Sequence, residues 1–274
     1  MKRRSKLARD ELPVLFDEAS NITGTVKSAV RVMQVFEFFD QVQRDAHISE
    51  IVEHLGFPQS STSALMKSLV RCGYIEYLPL TRTYTLTPRV ALLGSWIEGS
   101  PLKDGSIGRM MDELNAETSE AIVLACSNGI YSKYIHVVEA SSLIRMHVPI
   151  GTTRLLVWST TGVALISQMS DEAIRLLVKR TNAQAPSTRR PIDANQTLVH
   201  VDQYRKRGYF FSRGLMTSGA GMISMRLPPT SAGPDRPLAI GIGGPVDTIQ
   251  KQETRIVRLL RDAIAKYIKI TSSN

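Results

Sequence analysis

The chain has 274 residues, 43% hydrophobic and 22% charged, with 34 Lys and Arg against 25 Asp and Glu, a formal net charge of +9. That is too apolar for a disordered chain, and at roughly 100–200 residues per domain the length suits two modest domains, each able to bury a core. No run approaches the ~18 uncharged residues of a membrane span, and two cysteines, Cys72 and Cys126, are too few for a disulfide framework or a Cys-ligated zinc site.

Both cysteines therefore read as reduced, buried thiols of a cytoplasmic protein. The basic surplus points toward nucleic acid or another anion, but only weakly. Residues 1–90 hold 12 of the basic and 10 of the acidic side chains, so net charge does not locate a binding face. Five Lys and Arg in residues 1–9 are followed by Asp10, Glu11, Asp17 and Glu18 without an apolar core, which argues against a signal peptide. Residues 1–25 read as a flexible tail.

From residue 26 to about 40, Ala29, Val32, Phe36 and Phe39 recur at steps of three and four, one face of a helix. A second short helix starts near Ser49, with Ile48, Ile51, Val52 and Leu55 inward and Gly56 in the turn after it. Pro58 and the Ser60-Ser61 pair start a third helix, in which Thr62, Leu65, Met66 and Leu69 form the inner stripe. Gln59, Ser60, Ser61, Ser63, Ala64, Lys67 and Ser68 then face outward. Strand-like runs at 74–78 and 83–86 flank 79–82 and predict a hairpin. Three helices and a hairpin in so short a span make a winged helix-turn-helix.

The outer face of the third helix carries small hydroxyls, an amide and one lysine, with no carboxylate from Gln59 to Val70. A solvated surface helix would carry Glu–Lys pairs; this one is slim enough to approach base edges and has no acid to repel a phosphate backbone. A merely structural helical module is the bland alternative.

Thr87-Pro88 reads as a cap and first-turn proline, opening a connecting helix over 89–99. Beyond it the order is mixed: a helix near 107–117, strands at 121–125 and 130–138 around an Asn128-Gly129 turn, and a further strand at 143–148. Helices follow at 161–168 and at 172–179, the latter capped by Ser170, and a loop at 181–195 leads to a helix ending in Arg205-Lys206-Arg207. Strands near 209–211, 222–227 and 238–242 precede one terminal helix, 249–268, capped by Thr248. This order predicts an α+β protein whose second domain is an antiparallel sheet with flanking helices. The divisions are a tail at 1–25, a winged helix-turn-helix at 26–87, a linker helix at 88–100 and a second domain at 101–270.

Sites for chemistry are sparse. His47, His54, His136, His147 and His200 show no two-ligand helical spacing with a carboxylate, so no metal site is expected. The glycine-rich 219–221 and 241–244 lack a following Lys-Ser/Thr and open no dinucleotide-binding turn; they read as tight turns and close backbone packing. Ser159-Thr160-Thr161-Gly162 is not a nucleophile elbow. Arg205-Lys206-Arg207 suits a helix C-terminus in any case. Neither a cofactor nor an enzymatic role is expected.

Ile48-Ser49-Glu50-Ile51, Leu55-Gly56-Phe57-Pro58-Gln59-Ser60-Ser61-Thr62 and Arg71-Cys72-Gly73-Tyr74-Ile75 resemble, without gaps, the helix-turn-helix of the isocitrate-lyase-regulator (IclR) family of bacterial transcription factors. Pro149-Ile150-Gly151, Arg207-Gly208-Tyr209 and Gly244-Pro245 extend the resemblance over 26–268. It implies a GAF-like effector-binding domain behind the winged helix, a homodimer or dimer of dimers, and double-stranded DNA with a pseudo-palindromic operator as partner. DNA-contact positions carry over to Gln59, Ser60, Ser61, Ser63 and Lys67, with Arg82 in the wing. Ala64 stands where the family usually has arginine, and an arginine–guanine pair is worth roughly 1–3 kcal/mol of discrimination, so base reading should differ there.

The effector cup departs further: Val157-Trp158 replaces a histidine-alanine pair, Gly221-Met222 an arginine-cysteine pair, and Gly241 and Gly243 two serines. Two readings stay open. In one the cup takes a larger or flatter ligand such as an organic or aromatic acid, with Met146, Trp158 and Met222 as walls, Ser159, Thr160, Ser212, Gly241 and Gly243 as contacts, and Arg145 or Arg213 on the acid. In the other Trp158 fills the cup and the regulator is ligand-blind. A metabolite-binding protein or enzyme that uses the first domain only to dimerise is the rival of another class.

Overall fold

The computed structural model describes residues 26–93, 105–142, 148–184, 190–229 and 237–268. The chain divides into two compact units, Met1–Trp96 and Ile97–Asn274. The expected tail at 1–25, most of the linker helix, and the strand expected at 143–148, with Arg145 and Met146, lie outside the described residues or nearly so.

In the first unit α1 (Lys27–Val42), α2 (Ile48–Leu55) and α3 (Gln59–Arg71) surround a small core of Val35, Phe38, Phe39, Ile51, Met66 and Leu69. The face of α1 is turned from the expected one: Val35 and Phe38 join Phe39 inside while Ala29 is exposed, because the third and fourth turns, not the first, reach the core. Gly56 closes α2 at φ 66°, a left-handed conformation that glycine adopts without a Cβ clash. The hairpin has a third strand that the sequence did not signal. Ala46–His47 (β1) pairs with Thr83–Leu86 (β3), which also pairs with Ile75–Leu78 (β2), in the order β1-β3-β2. Two residues are too short to show alternation. Thr87 precedes a short helix α4 (Pro88–Leu92) with proline in its first turn, and its hydroxyl donates to the Gly73 carbonyl rather than capping the helix.

The second unit is an antiparallel six-stranded sheet in the order β6-β5-β4-β9-β8-β7, built from β4 (Ala121–Asn128), β5 (Tyr131–Val138), β6 (Thr153–Leu155), β7 (Phe210–Arg213), β8 (Ala220–Arg226) and β9 (Leu238–Pro245). Both faces of the sheet are covered. Ile122 and Leu124 join a core with α5 (Ser106–Thr118) and the C-terminal helices, whereas Val123 and Ala125 join one with the middle helices, the two-residue alternation of a strand buried on both sides. Burying each such isoleucine or leucine contributes about 1.5–3 kcal/mol. The middle helices are α6 (Thr160–Ile166), reached through a 3-10 turn at Leu156–Trp158, α7 (Asp171–Gln184) and α8 (Ala194–Arg207).

Four expectations need correction here. The helix expected to end at 179 continues to Gln184, and the Asn182 side-chain amide clips the returning chain, bonding Ile192 N–H and C=O at 2.9 Å each. The single terminal helix is two, α9 (Val246–Lys251) and α10 (Glu253–Tyr267), broken at Gln252 with φ −103° and ψ 9°. Thr248 caps neither; its carbonyl accepts from Gln252 inside the break. The turn lets α9 lie on β8, where Gly221 leaves only 3.0 Å between an added Cβ and Val246 Cα, while α10 turns to pack on α5. The cysteines are not both buried: Cys72 is exposed at the end of α3 and Cys126 is half-buried.

Candidate DNA interface and effector cup

In α3 the inner stripe buries Thr62 and Met66 fully and Leu69 nearly so, with Leu65 half-buried. This orients the helix and leaves Gln59, Ser60, Ala64, Lys67 and Ser68 exposed, with Ser61 and Ser63 at the flanks. The first turn ties itself down, the Ser61 and Thr62 hydroxyls donating to the Pro58 carbonyl at 2.9 and 3.2 Å; two turns on, Ser68 donates to Ala64 C=O. Ser61 so keeps its lone pairs for an incoming donor. Among the described residues Gln59, Ser60, Ser63 and Lys67 have no intramolecular partner, so their polar groups are free for one supplied from outside.

The helix before it is anchored at its start. Arg44 pairs with Glu50 at 2.7 Å, and the other carboxylate oxygen of Glu50 accepts His47 N–H at 3.0 Å. The Arg44 hydrogen bond, then the backbone bond from His47, hold the Glu50 carboxyl down to about 2. Arg82 stands at the end of the hairpin loop, exposed and with its guanidinium unpaired among the described residues. Its carbonyl lies 3.3 Å from His47 Nδ1. His47 did not stand out in the sequence, since a two-residue strand and an N-cap leave no periodic signal.

The cup of the second unit is built where β8, β9, β5 and α6 meet. Gly241 and Gly243 are buried on β9, and a Cβ at 241 would come within 3.2 Å of Met222 Sδ, one at 243 within 2.9 Å of Met222 Cε. Met222 thus lies over both glycines and occupies the room that their missing side chains leave. The Tyr134 hydroxyl approaches its sulfur at 3.9 Å. Burial pushes the Tyr134 phenol up, so it stays a neutral donor. Thr160 and Ser212 hydroxyls bond each other at 2.5 Å, Ser224 donates to Thr160 C=O at 2.7 Å, and Ser159 accepts from Gly162 N–H as the cap of α6. Ser224 and Tyr134 belong to this cluster and were missed; Ser224 is on the Met222 face of β8, two residues on, which is the signal that finds it.

Two expected members are placed elsewhere. Trp158 does not fill the space at the glycines: its ring packs at 5.8 Å on His200, which packs at 5.0 Å on Phe210. Arg213 is on the opposite face of β7 from Ser212, stacked 4.2 Å over Phe211 and bonded to Gln250 and Glu253 of the C-terminal helices, so it does not face the cup. A shallow groove of about 310 Å³ runs outside, between α8 and β7, lined by Gln196, Val199, His200, Phe210 and Ser212 among others. Arg205 is no free cation either; it bonds Ser167 and Met169 carbonyls and Asp171 and Asp202, tying α8 to the loop before α7. Among the described residues no group of three His, Cys, Asp or Glu is placed to hold a metal ion, and no helix is long and apolar enough to cross a membrane.

Comparison with known proteins agrees with both halves. Residues 28–79 match the IclR helix-turn-helix domain and residues 105–268 the bacterial transcriptional regulator IclR C-terminal domain. The chain is 23% identical over 234 residues to the transcriptional repressor IclR of Escherichia coli, covering 83% of each, and 23% identical over 192 residues to the acetate operon repressor of Salmonella typhimurium, covering 69% and 70%. Among solved structures it resembles the effector domain of an IclR regulator from an Acinetobacter species, with a TM-score of 0.55 at 28% identity over 61% of this chain and 96% of that one. The fold of an IclR regulator from Alicyclobacillus acidocaldarius matches over 89% of this chain and 98% of that one, with a TM-score of 0.57 at 20% identity. With a helix-turn-helix whose third helix carries no acid and leaves Gln59, Ser60, Ser63 and Lys67 without partners among the described residues, a helix-flanked antiparallel sheet in the second unit, and family matches over both, the chain belongs to the IclR family of bacterial transcriptional regulators and is a DNA-binding regulator of transcription.

Proposed function

We propose that this regulator works in the cytoplasm as a homodimer or dimer of dimers, setting two copies of α3 into successive major grooves of a pseudo-palindromic operator, about 34 Å apart. Gln59, Ser60, Ser61 and Ser63 meet base edges and the nearby backbone, Lys67 a phosphate, and Arg82 the duplex beside the helix. The observation that carries this is the unpaired, carboxylate-free outer face of α3. Titration of the full chain against a random duplex pool tests it: enrichment of a two-fold symmetric sequence is expected, and binding no tighter than to scrambled competitor removes the reading.

A small organic or aromatic acid in the second unit modulates that affinity by binding one of two states of the dimer better than the other. Met222 favours this over a permanently sealed cup. It is one unbranched, readily rotated side chain lying on two glycines, and its displacement would bare the β9 backbone there. Ser159 adds to the proposed lining; Arg145 and Met146, expected there from the sequence, lie outside the described residues. A thermal-shift series of the full chain with aromatic and short aliphatic acids should raise the midpoint for one class, and Met222→Phe should abolish the rise while the protein stays folded. No shift with any acid leaves a ligand-blind regulator.

A further inference from the structure

The hairpin loop carries a residue that the reading of α3 leaves unused. Leu80 is 100% exposed, the most exposed of the large hydrophobic side chains among the described residues. A lone exposed leucine on a mobile loop needs no explanation, but this loop is held. Arg82, which is not glycine, adopts φ 57°, a left-handed conformation that costs about 1 kcal/mol or more and persists only where the surroundings impose it. Three features impose it. The His47 ring sits on the Arg82 carbonyl, the Thr81 and Thr83 hydroxyls bond at 2.5 Å, and β1 zips onto β3 at Ala46↔Tyr84 and His47↔Thr83. Pro79, with its fixed φ, precedes the leucine. Charge follows the same plan: between Glu53 and Glu98 the sole carboxylate is Glu76, against four Lys and Arg. The tip is therefore a rigid projection with an apolar point, a cation two residues on, and no acid.

We propose that Leu80 is a wedge, inserting from the minor groove next to the one α3 enters and partly unstacking a single base step, with Arg82 in the groove beside it. Pyrimidine–purine steps unstack most easily, so a wedge selects them without any hydrogen bond to a base, and it bends the duplex away from the inserted side chain. The inference rests on α3 being the base-contacting helix, and His47 serves it as a positioning residue through the Arg82 carbonyl.

The test uses the full chain and a duplex that the wild type selects from a random pool, labelled at both ends so that energy transfer reports the bend. Leu80→Ser, whose side chain touches nothing in the protein, should lose most of the bend and the preference for a flexible step flanking the α3 site. Affinity should fall about five- to tenfold with the salt slope unchanged. Leu80→Met should restore the bend. Arg82→Ala should instead lower the salt slope by about one unit. If Leu80→Ser keeps the bend and the step preference while Lys67→Ala weakens binding, the wedge is wrong and the α3 reading stands. If no duplex is enriched at all, the α3 reading itself has failed.

Discussion

The outer face of α3 and the cup of the second unit are both built from serine, threonine and a few larger groups, yet they treat those groups in opposite ways. On α3 the inner turn satisfies the backbone while Gln59, Ser60, Ser63 and Lys67 are left unpaired in solvent. In the cup the hydroxyls of Thr160 and Ser212 satisfy each other, Ser224 and Ser159 are spent on backbone groups, and Met222 covers the glycines. An unpaired polar group costs nothing in water and is available to a partner, whereas the same group buried costs about 1–3 kcal/mol unless it finds a bond. On the proposed reading the first surface is ready for its ligand at once, whereas the second must be opened, and a coupling between ligand and DNA would act there.

The sharpest way to break this contrast is to test how tightly the cup side is filled. An added Cβ at Gly162 would fall 2.1 Å from the Leu156 carbonyl and 2.6 Å from Ser159 Oγ, backbone and cap that have nowhere to go. Gly162→Ala should destabilise the second unit by roughly 3 kcal/mol, seen as a lower urea midpoint, with the α3 surface unaffected. An unchanged midpoint would show the start of α6 to be loose.

The open side predicts changes in recognition and none in stability. Gln59→Ala should relax specificity at one base position by roughly 1–3 kcal/mol, measured by competition between duplexes differing at that base. Lys67→Ala should weaken binding to all sequences alike and flatten the salt slope by about one unit. Should both variants keep the wild-type footprint and affinity, these residues leave the contact set.

The smallest effect belongs to Glu120, a buried carboxyl 4% exposed whose Oε2 has no hydrogen-bond partner and sits where a Cβ on Gly244 would be. Burial raises its pKa above the ordinary 4.5. The native state so binds a proton more tightly than the unfolded chain, and this favours folding below about pH 4.5, an advantage lost as pH rises through the native value. Glu120→Gln removes that loss. It should add about 1 kcal/mol or less of stability at pH 8, seen as a higher melting midpoint, and leave the midpoint unchanged at pH 4. A gain at both pH values would mean that packing, not ionisation, limits the site.

Much of the molecule was legible in the residues because much of it rests on period and composition. The stripe Thr62, Met66 and Leu69 names the buried side of α3, and with it the exposed one, since a helix repeats every 3.6 residues. Ser170 does cap α7, its hydroxyl accepting from Ala173 N–H at 3.2 Å, as a serine before an amphipathic run predicts. Less legible were the features set by partners distant along the chain. The strand Ala46–His47 exists only because β3 lies beside it. The break at Gln252 exists because β8 and α5 claim successive halves of one amphipathic run. The place of Arg213 turns on which face of a four-residue edge strand looks at the C-terminal helices.

The order of amino acids by itself determined the helix-turn-helix, the exposed face of its third helix and the alternation of sheet and helix later in the chain, because each rests on neighbours within a few residues. Which side chain fills the cup was decided only in three dimensions. Trp158 and Met222 are both large and apolar, and the choice between them depends on two glycines of β9 leaving a volume beside β8 into which Met222 reaches, alongside Val123 and Thr161. Volume left by an absent side chain is a property of the strands laid together, and no single strand contains it.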